Sequence, residues 1–253
     1  MTLIVGIICK DAIVFGAESE TSREVTKYQG AKKLHRVAFK NGWAIVGESG
    51  VAHLSSLALN YFKRCATGTE ITDEDTIRKT LNTAFRGMAG ELGTVIGTLD
   101  AQEYYRHSDN YFELTVGYYF NRKPYLYVFK PTHGVAASQN REFALSGIAD
   151  YLAEYLLKDF KLSELDSHGA LIAAAYVVGE VKTAIIGCGG KTEIALMSCD
   201  KPPEKVFPPW IEEIESKHLK PFLETISKKR QSSFDEMIKG AVIPYMPVVE
   251  SFE

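Results

Sequence analysis

Thr2 stands directly behind Met1, at the head of the apolar run Leu3-Ile4-Val5-Gly6-Ile7-Ile8-Cys9. Threonine is small, so loss of the methionine is expected to leave Thr2 with a free α-amino group. An amine of ordinary pKa, about 7.7–8.0, serves as a base near neutral pH, and a hydroxyl beside its own base is an activated nucleophile. Three more residues suit that chemistry: Glu18 in Gly16-Ala17-Glu18-Ser19, Lys33 ahead of Leu34, and Gly47 in Gly47-Glu48-Ser49-Gly50. A lysine beside Thr2 would favour the neutral amine and help ionise the hydroxyl in the transition state. Glu18 would hold that lysine, because an unpaired buried charge is costly. A glycine ahead of a helix offers its N–H to a developing oxyanion. Taken singly, each residue also has a plain structural reading: Glu18 and Lys33 as a surface ion pair, Gly47 and Gly50 as strand terminators.

The hydrophobic pattern supplies the elements that must gather these residues. Residues 2–9 and 12–17 read as strands buried on both faces, joined by a turn at Lys10-Asp11. As a hairpin they return Glu18 toward Thr2. Residues 18–30 read as a polar loop. Lys33 to Phe39 and Trp43 to Val46 read as strands around Lys40-Asn41-Gly42, since Asn-Gly is a strong hairpin signal. Helices are expected over 51–66 and 73–92, the second capped by Thr72 or Asp73. Strands follow at 111–120, 125–129 and 143–145, then helices near 148–159 and 165–183, then a strand of mixed pattern at 191–198. Helices segregated from antiparallel strands argue an α+β fold of packed layers. After Cys199 the composition turns to proline and charge, which places a core at 1–199 and a helical C-terminal appendage at 200–253, with Ile243 to Pro247 extended.

Composition narrows the function classes. The 253 residues carry 29 Lys+Arg against 32 Asp+Glu, a formal net charge of −3 that gives no electrostatic argument for nucleic acid or an anionic membrane. No apolar run reaches the roughly 18–20 residues of a membrane span, and no targeting segment is read at the N-terminus. The four cysteines (9, 65, 188 and 199) and six histidines (35, 53, 107, 133, 168 and 218) lack metal-ligand spacing, so no metal or cofactor is expected. His35 and His53 are candidates to line a pocket near Gly47, and Cys9 is read as core. Tyr104-Tyr105, Tyr118-Tyr119 and Tyr125-Leu126-Tyr127 are assigned to strand packing. A cytoplasmic protein is expected.

In combination, these segments resemble the proteasome β-subunit family, the N-terminal-nucleophile (Ntn) threonine hydrolases that include HslV-type peptidases. The stretch from Thr2 to Ser19 looks like the family opening, with Glu18 at the family separation of sixteen residues. Lys32-Lys33-Leu34 matches its basic step into the next strand, and Val46-Gly47-Glu48-Ser49-Gly50 its approach to the first helix. Leu145-Ser146-Gly147 looks like its Gly-Ser-Gly, and Cys188-Gly189-Gly190 is similar to its Ser-Gly-Gly. The resemblance spans roughly residues 2–199 and implies a four-layer αββα sandwich. It implies Thr2 as nucleophile, Lys33 tuning it, Glu18 supporting Lys33, the Gly47 N–H as oxyanion donor and Ser146 near the Thr2 amine. It also places Ala31, Ile45 and Ser49 around a pocket for a medium-sized apolar group.

Three departures from the family pattern stand out: Glu18 replaces an aspartate, Cys188 replaces a serine, and the aspartate before Ser-Gly-Gly has no counterpart closer than Glu180. The expected activity is hydrolysis of a peptide or small amide through a Thr2 acyl-enzyme, in a homo-oligomer. Transfer of that acyl group to an amine, and a non-catalytic assembly subunit, are the alternatives.

Overall fold

Long apolar strands form where the chain is covered on both faces. The structure, a computed structural model, describes residues 2–23, 26–28, 30–96, 112–131, 134–137, 142–158, 160–219 and 248–250. Strands β1 (Leu3–Ile8) and β2 (Ala12–Glu18) are an antiparallel hairpin in the register Ile4↔Ala17 and Ile8↔Ile13. The stretch read as a loop contains a small hairpin instead, β3 (Thr21–Arg23) with β4 (Thr26–Tyr28). β5 (Leu34–Phe39) and β6 (Gly42–Gly50) form the hairpin expected from Asn-Gly.

Helices α1 (Ala52–Thr67) and α2 (Thr76–Ile96) follow. Asp73 acts just ahead of α2, its carboxylate accepting from the Asp75 N–H and the Thr76 hydroxyl. Next come β7 (Phe112–Phe120), β8 (Lys123–Lys130), β9 (Gly134–Ala137) and β10 (Phe143–Gly147). The chain continues through α3 (Asp150–Leu157), α4 (Ser167–Ala184), β11 (Thr192–Ser198), β12 (Glu204–Val206), α5 (Pro208–Glu213) with a π-turn to Leu219, and β13 (Val248–Glu250).

Two antiparallel sheets result, β10-β1-β2-β11-β12-β13 and β5-β6-β7-β8-β9. The period-2 alternation of strand side chains divides the core into three layers. Leu3, Val5, Ile7, Ala12 and Val14 face α3 and α4; Ala44, Val46, Leu114 and Val116 face α1 and α2. Ile4, Ile13, Phe15, Ala17, Leu34, Ile45, Leu126 and Val128 fill the space between the sheets. The architecture is the αββα sandwich. α4 is buried nearly all round through Leu171–Val178 and is capped by the Asp166 carboxylate, which accepts from the Gly169 N–H at 2.8 Å. Gly16 sits where this helix meets the sheet: a Cβ there would lie 3.0 Å from Val5 and 3.2 Å from Val178.

Part of the C-terminal region extends the core: β12 pairs with β11, and Trp210, Ile211 and Ile214 pack into the α3–α4 layer. Most of its expected helix, from residue 220 to 239, lies outside the described residues, as do Ile243 to Pro247, Tyr104, Tyr105, His107 and His133. Among the described residues, no helix is long and apolar enough to cross a membrane.

Phe15 is fully buried between the sheets. Phe15→Ala is expected to cost about 3–5 kcal/mol, the range for emptying a buried aromatic site. Denaturant unfolding checks it; a loss below about 1 kcal/mol would show that the intersheet layer is not a packed core.

Candidate active site

The β1–β2 hairpin returns Glu18 to the end of the strand that Thr2 begins, and Lys33 arrives at the start of β5 from the opposite sheet. Lys33 Nζ donates to Thr2 Oγ1 at 2.5 Å and lies 3.8 Å from Glu18 Oε1. All three side chains are buried: Thr2 is 3 % exposed, Glu18 0 % and Lys33 6 %. Three residues far apart in sequence therefore share one enclosed point.

Burial sets the electrostatics. It pushes the Lys33 ammonium below the ordinary lysine range, and the Glu18 carboxylate opposes this. Burial likewise pushes Glu18 above the ordinary carboxylate range, opposed by Lys33 and by the backbone N–H groups of Gly189 and Glu20. Those amides donate to Glu18 Oε2 at 3.2 and 2.8 Å. An ammonium backed by a counter-ion and aimed at a hydroxyl can stabilise negative charge developing on that hydroxyl oxygen.

The expectation that Gly47 ends its strand ahead of a helix is corrected: β6 runs on to Gly50, and Gly47 lies inside it, paired with Leu34 on one side and Thr115 on the other. The Glu48 N–H donates to the Lys33 carbonyl at 3.0 Å, so by antiparallel alternation the Gly47 N–H faces β7. Only glycine fits there, since a Cβ would fall 2.3 Å from Cγ2 of Ile4, two residues along β1 from Thr2. Ser146 pairs with Ile4 across β1–β10, and its Oγ accepts from Thr115 Oγ1 at 2.7 Å and from Ser49 Oγ at 3.3 Å. Of the three expected pocket residues, Ser49 thus belongs to this hydroxyl cluster. Ile45 is fully buried in the intersheet layer. Ala31 is half-buried, its N–H on the Ser19 carbonyl at 3.1 Å.

The histidines are corrected. His35 pairs with Val46, on the helix side of its sheet, with Nε2 3.1 Å from Glu48 Oε1; His53 is exposed on the first turn of α1. The residues after Cys188 grip the acidic arm: Gly189 binds Glu18, the Gly189 carbonyl accepts from Glu20 N at 3.1 Å, and Ser19 Oγ accepts from Lys191 N at 2.8 Å. Burial raises the Cys188 thiol to about 11, which keeps it a neutral packing group. Among the described residues, no cluster of His, Cys, Asp and Glu could hold a metal ion.

Two acids escaped the sequence reading. Glu193 Oε2 accepts from the backbone N–H of Lys33 at 3.0 Å and of Leu34 at 3.2 Å, tying β11 to the start of β5. Glu113, fully buried on β7, accepts from Gly147 N at 2.7 Å. Glu113 interrupts the apolar start of its strand, Phe112-Glu113-Leu114, and Glu193 precedes the apolar run Ile194-Ala195-Leu196-Met197; an acid against such a run is the signal that could have found them.

No family model and no curated protein matches the chain. Solved structures do. The chain is similar to Anbu (ancestral beta-subunit) from Yersinia bercovieri at 11 % identity and TM-score 0.69, covering 90 % of this chain and 98 % of that one. It is similar to an Anbu (Gly-1) mutant from Hyphomicrobium sp. strain MC1 at 12 % identity and TM-score 0.69, covering 91 % and 99 %. The Anbu complex from Pseudomonas aeruginosa, described as a helical assembly, matches at 15 % identity and TM-score 0.63, covering 96 % and 98 %. These likenesses correct the resemblance to proteasome β-subunits and HslV-type peptidases: the matching architecture is that of ancestral β-subunit proteins, a proteasome-related fold.

Removal of the Glu18 charge tests the electrostatics. In Glu18→Gln, burial acts on Lys33 without its largest opposing charge, Glu48 and Glu193 remaining, so the folded protein releases the lysine proton at lower pH than wild type. Between that lowered value and the ordinary lysine value the unfolded chain binds more protons, and stability rises with pH. The variant also lacks the opposite slope contributed by a raised Glu18. Melting from about pH 6 to about pH 10 should therefore show a steeper upward trend in the variant than in wild type; parallel curves would contradict the coupling.

Proposed function

We propose that this chain is an amide hydrolase whose nucleophile is Thr2, freed of Met1. The observation that carries the reading is the Lys33 ammonium on Thr2 Oγ1 with Glu18 behind it. Thr2 Oγ attacks the substrate carbonyl and its proton passes, through a water, to the Thr2 amine. Lys33 stabilises the oxygen as it loses that proton. Ser146, held by Thr115 and Ser49, supports the amine. The amine's proton leaves with the departing amine of the substrate. Water attacks the Thr2 ester and returns the threonine. An amine in place of that water gives acyl transfer instead.

The proposed substrate is a peptide or small amide. The reading keeps a core at 1–199 with 200–253 as an extension, and a cytoplasmic setting suggested by the free cysteines. The helical assembly described for the Pseudomonas aeruginosa Anbu supports self-association of this chain as well. The same description favours a second reading, a non-catalytic assembly subunit.

An α′,β′-epoxyketone peptide separates the two readings, because its ketone takes a hydroxyl and its epoxide takes the neighbouring amine. Intact mass is expected to show loss of Met1 and one adduct on wild type, and none on Thr2→Ala. Wild type that keeps Met1 and forms no adduct would sink the hydrolase reading and leave the assembly subunit.

A further inference from the structure

Glu113 is a fully buried carboxylate to which the proposed mechanism gives no task. It lies on β7 opposite Ser49 of β6. Its Oε1 is 2.5 Å from Lys130 Nζ, and its Oε2 accepts from the Gly147 N–H at 2.7 Å. Gly147 follows Ser146 and has φ +101, a conformation that favours glycine. It is also pressed onto the start of the chain: a Cβ at Gly147 would fall 1.9 Å from the Thr2 carbonyl oxygen. One turn thus carries the hydroxyl proposed to support the Thr2 amine and the backbone that backs Thr2. From the opposite sheet the turn is held at Ser146 by the Thr115 and Ser49 hydroxyls and at the Gly147 backbone by the charge-assisted hydrogen bond to Glu113.

We propose that Glu113 is a positioning residue, which through the Gly147 N–H sets the Ser146-Gly147 turn against Thr2 and so fixes the orientation of the nucleophile. Lys130 is its counter-ion, required because a lone buried carboxylate is costly. Glu113 touches no reacting atom. Its effect lies in geometry, where a displacement of the order of 1 Å can cost about a hundredfold in rate. The inference rests on the Thr2 nucleophile reading.

Two substitutions separate the hydrogen bond from the charge. Glu113→Asp keeps the charge and the reach toward Lys130, 29 % exposed and free to follow it, but shortens the side chain by one C–C bond, about 1.5 Å, on the Gly147 side. Glu113→Gln keeps an acceptor at full reach and removes the charge, and Lys130 turns to water. Both variants are purified and their melting compared with wild type, so that adduct kinetics are read on folded protein. With the epoxyketone probe, Glu113→Asp is expected to lower the maximal adduct rate about tenfold, as loss of a charge-assisted hydrogen bond would. Its half-saturating probe concentration should stay within about threefold of wild type. Glu113→Gln should retain the wild-type rate within the same margin.

Equal rates in all three proteins, or a loss in both variants with weakened probe binding, would overturn the positioning role. If wild type forms no adduct, the nucleophile reading falls, and the Thr2 methyl resonance still decides this one. It should move in Glu113→Asp and stay in Glu113→Gln; an unmoved resonance in both variants overturns the inference.

Discussion

A lysine ammonium held out of water needs a partner, and among the described residues Lys33 meets the Glu18 carboxylate and the Thr2 hydroxyl. Desolvation disfavours the charge, and the Coulomb attraction of Glu18 works against that loss. The pair persists only if strands from both sheets converge at one end of the intersheet layer. β1 brings Thr2, β2 returns Glu18, and β5 delivers Lys33 from the facing sheet. Further contacts keep these three from drifting: Glu193 on the amides of Lys33 and Leu34, the Gly189 amide on Glu18, and Ile4 filling the space a side chain at Gly47 would need. The apolar layers and the polar site are thus one construction. Ile4, Phe15 and Leu34 fix the sheet separation that puts Lys33 within a hydrogen bond of Thr2.

The apolar strands were readable because burial on both faces leaves no polar positions in them, as in Leu3–Ile8 and Ala12–Glu18. The β5–β6 hairpin announced itself through Asn-Gly. The hairpin β3–β4 did not, because its strands are three polar residues each and, among the described residues, pair only with each other. β9, β12 and β13 are three or four residues long and take their conformation from the sheet edges they join. Local pattern cannot signal that.

The site divides along similar lines. Thr2, Glu18 and Lys33 were accessible because hairpin return alone brings the first two near each other, and family resemblance supplied the third. His35 was misplaced because proximity in sequence to the Gly47 region says nothing about face. The register puts it opposite Val46, whose side chain points to the helices. Glu113 and Glu193 were missed for the opposite reason: an acid in an apolar strand reads as an interruption until the register shows which backbone amide it meets. At 11–15 % identity, the likeness to the ancestral β-subunit structures is one of fold. Here the segment after Cys188 holds Glu18 through the Gly189 amide and Glu20 through the Gly189 carbonyl.

The most direct test of the central claim is a crystal structure of the protein after reaction with the epoxyketone peptide. The expected result is a ring closed through Thr2 N and Thr2 Oγ, with Met1 absent and Lys33 Nζ still beside Oγ. An intact Met1–Thr2 peptide bond with an unmodified Thr2 hydroxyl, or an adduct on any other residue, would contradict it.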